Sequence, residues 1–137
     1  MFLLDRSPRW PSWRQLGISL ASVALLGASG QILAKGEPTG SQDTVALSAL
    51  PQEAQHTFQL IYAGGPFPYS KDGIVFGNRE RILPKRSRGF YHEYTVKTPG
   101  SRDRGARRIV CGGQPPSNPE VCYYSDDHYA SFSKIAP

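Results

Sequence analysis

The apolar and polar positions of this chain fall into three regimes. Leu16 to Leu26 form a nearly unbroken apolar run behind a basic segment that ends at Arg14. After Leu50 the period becomes helical: Ala54, Phe58 and Ile61 fall at i, i+4 and i+7 and make one apolar stripe. Pro51 in the first turn lacks only an N–H that a helix start leaves unpaired, Glu53 suits the positive end of the dipole, and Gly64-Gly65 stops the element. From Ile74 onward come short aromatic and β-branched runs punctuated by glycine and proline, the signature of strands joined by turns. Strands are expected at Ile74-Val75-Phe76, Phe90 to Val96, Arg107 to Cys111, Cys122-Tyr123-Tyr124 and Ser131-Phe132-Ser133, with a short edge strand at Val45-Ala46-Leu47. One N-terminal helix packed on a twisted antiparallel β-sheet, an α+β domain, is the architecture this order predicts.

The run Phe90 to Val96 is the densest of these and reads as the central strand. Side chains alternate across a strand, so Tyr91, Glu93 and Thr95 share one face while Phe90, His92, Tyr94 and Val96 share the other. The second face is the expected core side, and His92 is read there as a hydrogen-bonded structural histidine. Glu93 on the first face is a candidate general base if a cation faces it.

Composition narrows the setting. The 137 residues are 39% hydrophobic and 20% charged, enough for one globular core, and the formal net charge is +5. Beyond residue 30 there remain 13 basic and 10 acidic side chains, so the placement of charge matters more than its sum. The apolar run is of signal-peptide length, shorter than the ~20 residues a membrane span needs, and Ala28 and Gly30 fit a cleavage site before Gln31. The expected organisation is a secretory signal peptide at 1–30, a flexible Gly/Pro/Ser-containing linker at 31–44 and one folded domain at 45–137, with no stable membrane association after cleavage and an extracellular location. Export makes a Cys111–Cys122 disulfide the expected state, two free buried thiols being the alternative; two cysteines without a histidine pair argue against a zinc site.

Three separated pieces carry complementary chemistry: Glu93 on the central strand, Arg104 and Arg108 near the next one, and His128 after two aspartates. A carboxylate, guanidinium groups and an imidazole suffice for phosphoryl transfer without a metal or cofactor. One group takes a proton from the attacking hydroxyl, another gives one to the leaving oxygen, and the arginines stabilise the charged phosphorane. RNA brings its own nucleophile, the 2′-OH, which points to RNA rather than DNA.

The blocks Gly65-Pro66-Phe67-Pro68-Tyr69-Ser70, Asn78-Arg79-Glu80, Tyr91-His92-Glu93-Tyr94-Thr95-Val96, Arg107-Arg108-Ile109 and Asp127-His128-Tyr129-Ala130, in this order, closely resemble the secreted microbial guanyl-specific ribonucleases. The resemblance runs from about Val45 to Ile135. It implies an endoribonuclease that cleaves single-stranded RNA 3′ to guanosine through a 2′,3′-cyclic phosphate, then hydrolyses that to the 3′-phosphate. Glu93 matches the general base, His128 the general acid, and Arg104 and Arg108 the groups on the scissile phosphate. Glu80 matches the carboxylate that reads guanine N1–H and the 2-amino group. The backbone N–H groups of Asn78 and Arg79 would serve O6, and Phe76, Arg79 and Tyr129 would stack on or wall the base. A monomer and a barstar-like protein inhibitor are implied as well. The chain departs from close members at Ala46, where they carry a half-cystine, and at Gly77 and Phe90. The competing expectation is a non-catalytic basic RNA-binding or surface-interaction protein on the same fold.

Overall fold

The computed structural model describes residues 42–137; the apolar leader and residues 31–41 of the linker lie outside the described residues. A short strand β1 (Thr44–Ala46) and a single 3₁₀ turn (Leu47–Ala49) lead into helix α1 (Gln52–Ala63). The helix ends where expected: Gly64 takes a left-handed φ of 77°, and its N–H and that of Gly65 close back onto the carbonyls of Ile61 and Leu60. Five strands follow, β2 (Ile74–Val75), β3 (Tyr91–Thr95), β4 (Arg108–Gly112), β5 (Val121–Ser125) and β6 (Ser133–Ala136).

They form one six-stranded sheet in the order β1-β6-β5-β4-β3-β2. The sheet is mixed rather than purely antiparallel, because β1 runs parallel to β6. The chain reaches that edge before the helix and returns to it only at its end, so the first and last strands meet in the same direction. Every strand also differs from expectation by a residue or more at one end or both, notably at the β1–β6 edge. The edge strand begins at Thr44 and ends at Ala46, with Leu47 already in the 3₁₀ turn. The last strand is Ser133–Ala136, not Ser131-Phe132-Ser133. Asp127 accepts hydrogen bonds from the backbone and hydroxyl of Ser131 and keeps that residue in the preceding turn, while Ile135 supplies the buried strand side chain.

Each face of the sheet carries its own apolar cluster. On one side the helix stripe Ala54, Phe58 and Ile61 packs against Tyr94, Val96, Ile109, Tyr124 and Ile135. Ile109 and Val96 are fully buried there, and sequestering each such side chain contributes ~1.5–3 kcal/mol. Cys111 and Cys122, directly opposed on β4 and β5, belong to this side and form the expected disulfide. On the other side Leu83, Phe90, Tyr91, Val110, Tyr123 and Phe132 make a smaller cluster beneath the loops.

Phe90 therefore sits opposite to its expected face. It precedes the strand proper, and its ring lies over Gly112 so closely that a Cβ there would collide with it. His92 does face the helix side, but it is not the hydrogen-bonded residue expected: its Nδ1 is buried with no partner among the described residues.

Candidate active site

The three central strands place the site by register. Opposed residues share a face, so one row across the sheet reads Glu93, Val110, Tyr123 and the next Thr95, Arg108, Ser125. Glu93 lies between β2 and β4 with only 9% of its surface exposed. Arg104, in the loop before β4, donates from Nε to the Thr95 hydroxyl at 3.0 Å and reaches the Glu93 carboxylate from Nη2 at 3.4 Å. Arg108 is 2% exposed and clamped: Nη1 donates to the carbonyls of Gly105 at 2.9 Å and Arg107 at 2.8 Å, and Nε to the Tyr129 hydroxyl at 3.0 Å. Both guanidinium groups are thus aimed before any substrate arrives, which is what transition-state stabilisation requires. Gly105 permits the loop, since it has a φ of +62° and a Cβ would strike the Thr98 side chain.

His128 comes from the turn after β5. Its backbone N–H donates to the Ala106 carbonyl at 3.0 Å, which ties this turn to the arginine loop. Ser125, in the row with Arg108, accepts from the Tyr129 N–H at 3.0 Å and donates to Asp127 at 2.9 Å. The hydrogen bonds from Ser131 hold the Asp127 carboxyl below its ordinary range. His128 and Tyr129 both occupy left-handed backbone, with φ of 56° and 70°. Conformations of that kind persist in non-glycine residues where the surroundings over-determine them, as this net of bonds does.

The third piece is the turn after β2. Asn78 has a φ of 47°, and its carboxamide donates to the Leu83 carbonyl at 2.8 Å and accepts from the Leu83 N–H at 3.1 Å. Leu83 is 2% exposed, so the Asn78 side chain fastens the turn to the core. The N–H groups of Asn78 and Arg79 meet no protein acceptor among the described residues. A cleft of about 540 Å³ opens between this turn and the turn of His128, bordered by Phe76, Asn78, Glu80, Glu93, His128 and Tyr129. The Phe76 and Tyr129 rings, both bordering it, stack on each other with centroids 5.2 Å apart. The Tyr129 hydroxyl is raised above the usual phenol range, first by burial and then by the Glu93 carboxylate beside it. A second cavity, about 530 Å³, is bordered by Arg104, Arg108 and again His128.

All nine candidate side chains therefore line one of two adjoining spaces, Arg104 and Arg108 the arginine cavity, the others the cleft, with His128 shared. Thr95 and Ser125, which aim Arg104 and the His128 turn, were given no role from the sequence. Thr95 carried a signal, two residues beyond Glu93 on the same strand face; Ser125 carried none until the β4–β5 register was known. Asp72 was also missed: it accepts from the Thr95 N–H at 2.7 Å and fixes the end of β3.

A family model for ribonuclease matches residues 34–136. Guanyl-specific ribonuclease Sa of Kitasatospora aureofaciens is 59% identical over 92 residues, 67% of this chain and 92% of the relative. Guanyl-specific ribonuclease St of Saccharopolyspora erythraea is 52% identical over 94 residues, 69% of this chain and 88% of the relative. Among solved structures, ribonuclease Sa2 in complexes with mononucleotides is similar with a TM-score of 0.66 and 50% identity, covering 71% of this chain and 96% of that one. On that identity and coverage, the chain belongs to the guanyl-specific ribonuclease family.

Proposed function

We propose that the protein is an endoribonuclease that cleaves single-stranded RNA on the 3′ side of guanosine without a metal ion. One observation carries this: His128 borders both the base-sized cleft and the arginine-lined cavity, so a nucleoside in the first would have its 3′-phosphate in the second. Guanine edges would be read by Glu80 and by the free N–H groups of the Asn78–Arg79 turn, with Phe76, Arg79 and Tyr129 against the ring faces. Adenine lacks the N1–H and 2-amino donors that Glu80 would accept. Glu93 would remove the 2′-OH proton, and the 2′-oxygen attacks phosphorus. The P–O5′ bond then breaks as His128 protonates the departing oxygen, giving a 2′,3′-cyclic phosphate. Water opens the ring with the two roles reversed. Arg104 and Arg108 neutralise the phosphorane oxygens throughout. Related ribonuclease Sa2 has been crystallised with 3′-GMP and with a guanosine cyclophosphate, which supports a nucleotide in the corresponding place.

Every group in this scheme comes from one chain, so a monomer suffices, and an acidic inhibitor of the barstar kind would fit the same cationic face. The basic segment and apolar run before residue 31 support export with a removed leader and action outside the cell. A defined RNA incubated with the protein in EDTA tests the proposal. Cuts only after guanosine, ending in cyclic phosphate and then 3′-phosphate, are expected, and Glu80→Ala should erase the base preference. A Mg²⁺ requirement, or equal cutting after all four bases, would overturn it.

A further inference from the structure

The cleft has a neighbour on the far side of the recognition turn. A groove of about 680 Å³ shares Phe76, Asn78 and Arg79 with the cleft, is floored by Tyr91, and is rimmed by Arg81, Lys85, Arg86 and Arg88. No carboxylate lines it. Arg86 is committed, bridging to Glu120 at 3.2 Å and stacking on Phe90 with its guanidinium 3.9 Å from the ring centre. That pins the loop; Arg79, Arg81, Lys85 and Arg88 are exposed and have no carboxylate partner among the described residues. The loop is also fixed from below, because the Tyr91 hydroxyl donates to the Pro84 carbonyl at 2.7 Å and Asn78 holds Leu83. Burial pushes that Tyr91 hydroxyl up to about 12, so the floor of the groove adds no negative charge at neutral pH. Four unpaired cations on a fixed loop around an open groove cost Coulomb repulsion, which a polyanion relieves.

Order along the surface gives the direction. The arginine cavity, His128, the guanine cleft, the recognition turn and the basic groove follow one another. On the function proposed above, the 3′-phosphate and the departing strand occupy the arginine and His128 end. We propose that the basic groove is a second RNA site, which takes phosphates of the strand 5′ to the guanosine and relies on Lys85 and Arg88. It makes the enzyme favour guanosines embedded in a chain over those at a 5′ end.

The test compares a guanylyl dinucleotide with the same dinucleotide carrying five uridines on its 5′ side, or on its 3′ side, using wild type and Lys85→Gln/Arg88→Gln. Neither residue belongs to the catalytic groups. The 5′ extension should raise kcat/KM in the wild type, and the double variant should lose about tenfold on that substrate while cleaving the bare dinucleotide normally. Its slope of log kcat/KM against log salt should be shallower by about 1.4 for two phosphate contacts on a single strand. Binding of a 5′-extended oligomer with 2′-deoxyguanosine at the scissile position, which lacks the nucleophile, gives a readout independent of turnover, and the double variant should weaken it. No benefit from the 5′ extension, a benefit confined to the 3′ extension, or equal losses on the bare dinucleotide would each overturn the proposal. So would unchanged oligomer binding with lost affinity for anionic lipid vesicles. If the wild type cleaves no RNA yet binds the oligomer through Lys85 and Arg88, the ribonuclease proposal fails and the groove stands.

Discussion

The two faces of β3 are built to opposite specifications. Toward the helix, Tyr94 packs among Val96, Ile109 and Tyr124, an apolar, closely packed surface on which His92 is the group that titrates near neutral pH. Toward the loops, Glu93 and Thr95 meet two arginines, a tyrosine hydroxyl and open space. The same five residues thus hold a core and a reaction site less than a strand's thickness apart. Rigidity made on one side is used on the other: the packed face fixes the backbone, and so fixes the Glu93 carboxylate, the group proposed above to take a proton within hydrogen-bond reach. The polar face is the costlier to build, because a buried carboxylate must be met by charge or hydrogen bonds, as Arg104 does here.

If the faces are separable, Glu93→Gln should remove function and spare the fold. Gln keeps the shape and the acceptor for Arg104 but cannot take a proton. Turnover on RNA is expected to fall ~10²–10⁴-fold. Guanosine-nucleotide binding, measured by titration calorimetry, and the thermal unfolding temperature should stay close to wild type. A variant that also loses binding and melts early would mean that Glu93 belongs to the scaffold, and the contrast between the faces would collapse.

Ile109→Ala attacks the comparison from the other side. Ile109 is fully buried, in register with Tyr94 on β3 and Tyr124 on β5. Its truncation should cost ~2–5 kcal/mol of unfolding free energy, read from urea melts. Turnover per folded molecule should persist, since Arg108 beside it points to the opposite face and keeps its carbonyl clamps. A fall in turnover at full occupancy of the folded state would show that packing on the helix side tunes the site directly.

The helix face was the more legible of the two in the sequence. The stripe Ala54, Phe58, Ile61 and the alternation that sets His92, Tyr94 and Val96 apart from Glu93 and Thr95 are periodic, and period is what local geometry imposes on a chain. Glu93, His128, Glu80 and the arginines were found through their chemistry and through the family resemblance, and they do border two adjoining spaces. What stayed hidden depends on contacts between distant residues. The parallel pairing of β1 with β6, the shift of the last strand to Ser133, and the aim of Arg104 through Thr95 are fixed by tertiary partners that no local pattern announces. Phe90 failed for a related reason: the alternation holds only within the strand, which begins one residue after it, and Gly112 offered its ring a place on the other side.

His92 offers the finest test, since it puts a titratable group on the face without chemistry. Burial lowers its pKa from the ordinary imidazole value, and Nδ1 has no partner among the described residues to offset that. In the unfolded chain the same imidazole takes up a proton near pH ~6.5. Between that value and the lower folded one the unfolded state binds more protons, so His92 lowers stability as the pH falls through that window and contributes no further slope below it. His92→Leu keeps an apolar side chain of similar reach and removes the proton site. Urea melts from about pH 7.5 to 5.5 should therefore show a shallower decline for the variant than for wild type. Its pH profile of kcat/KM, governed from the other face, should superimpose on the wild type. An unchanged stability slope would mean that His92 is hydrated in solution. A shifted kinetic profile would mean that the proton is felt through the strand, and the two faces of β3 would then be one electrostatic unit.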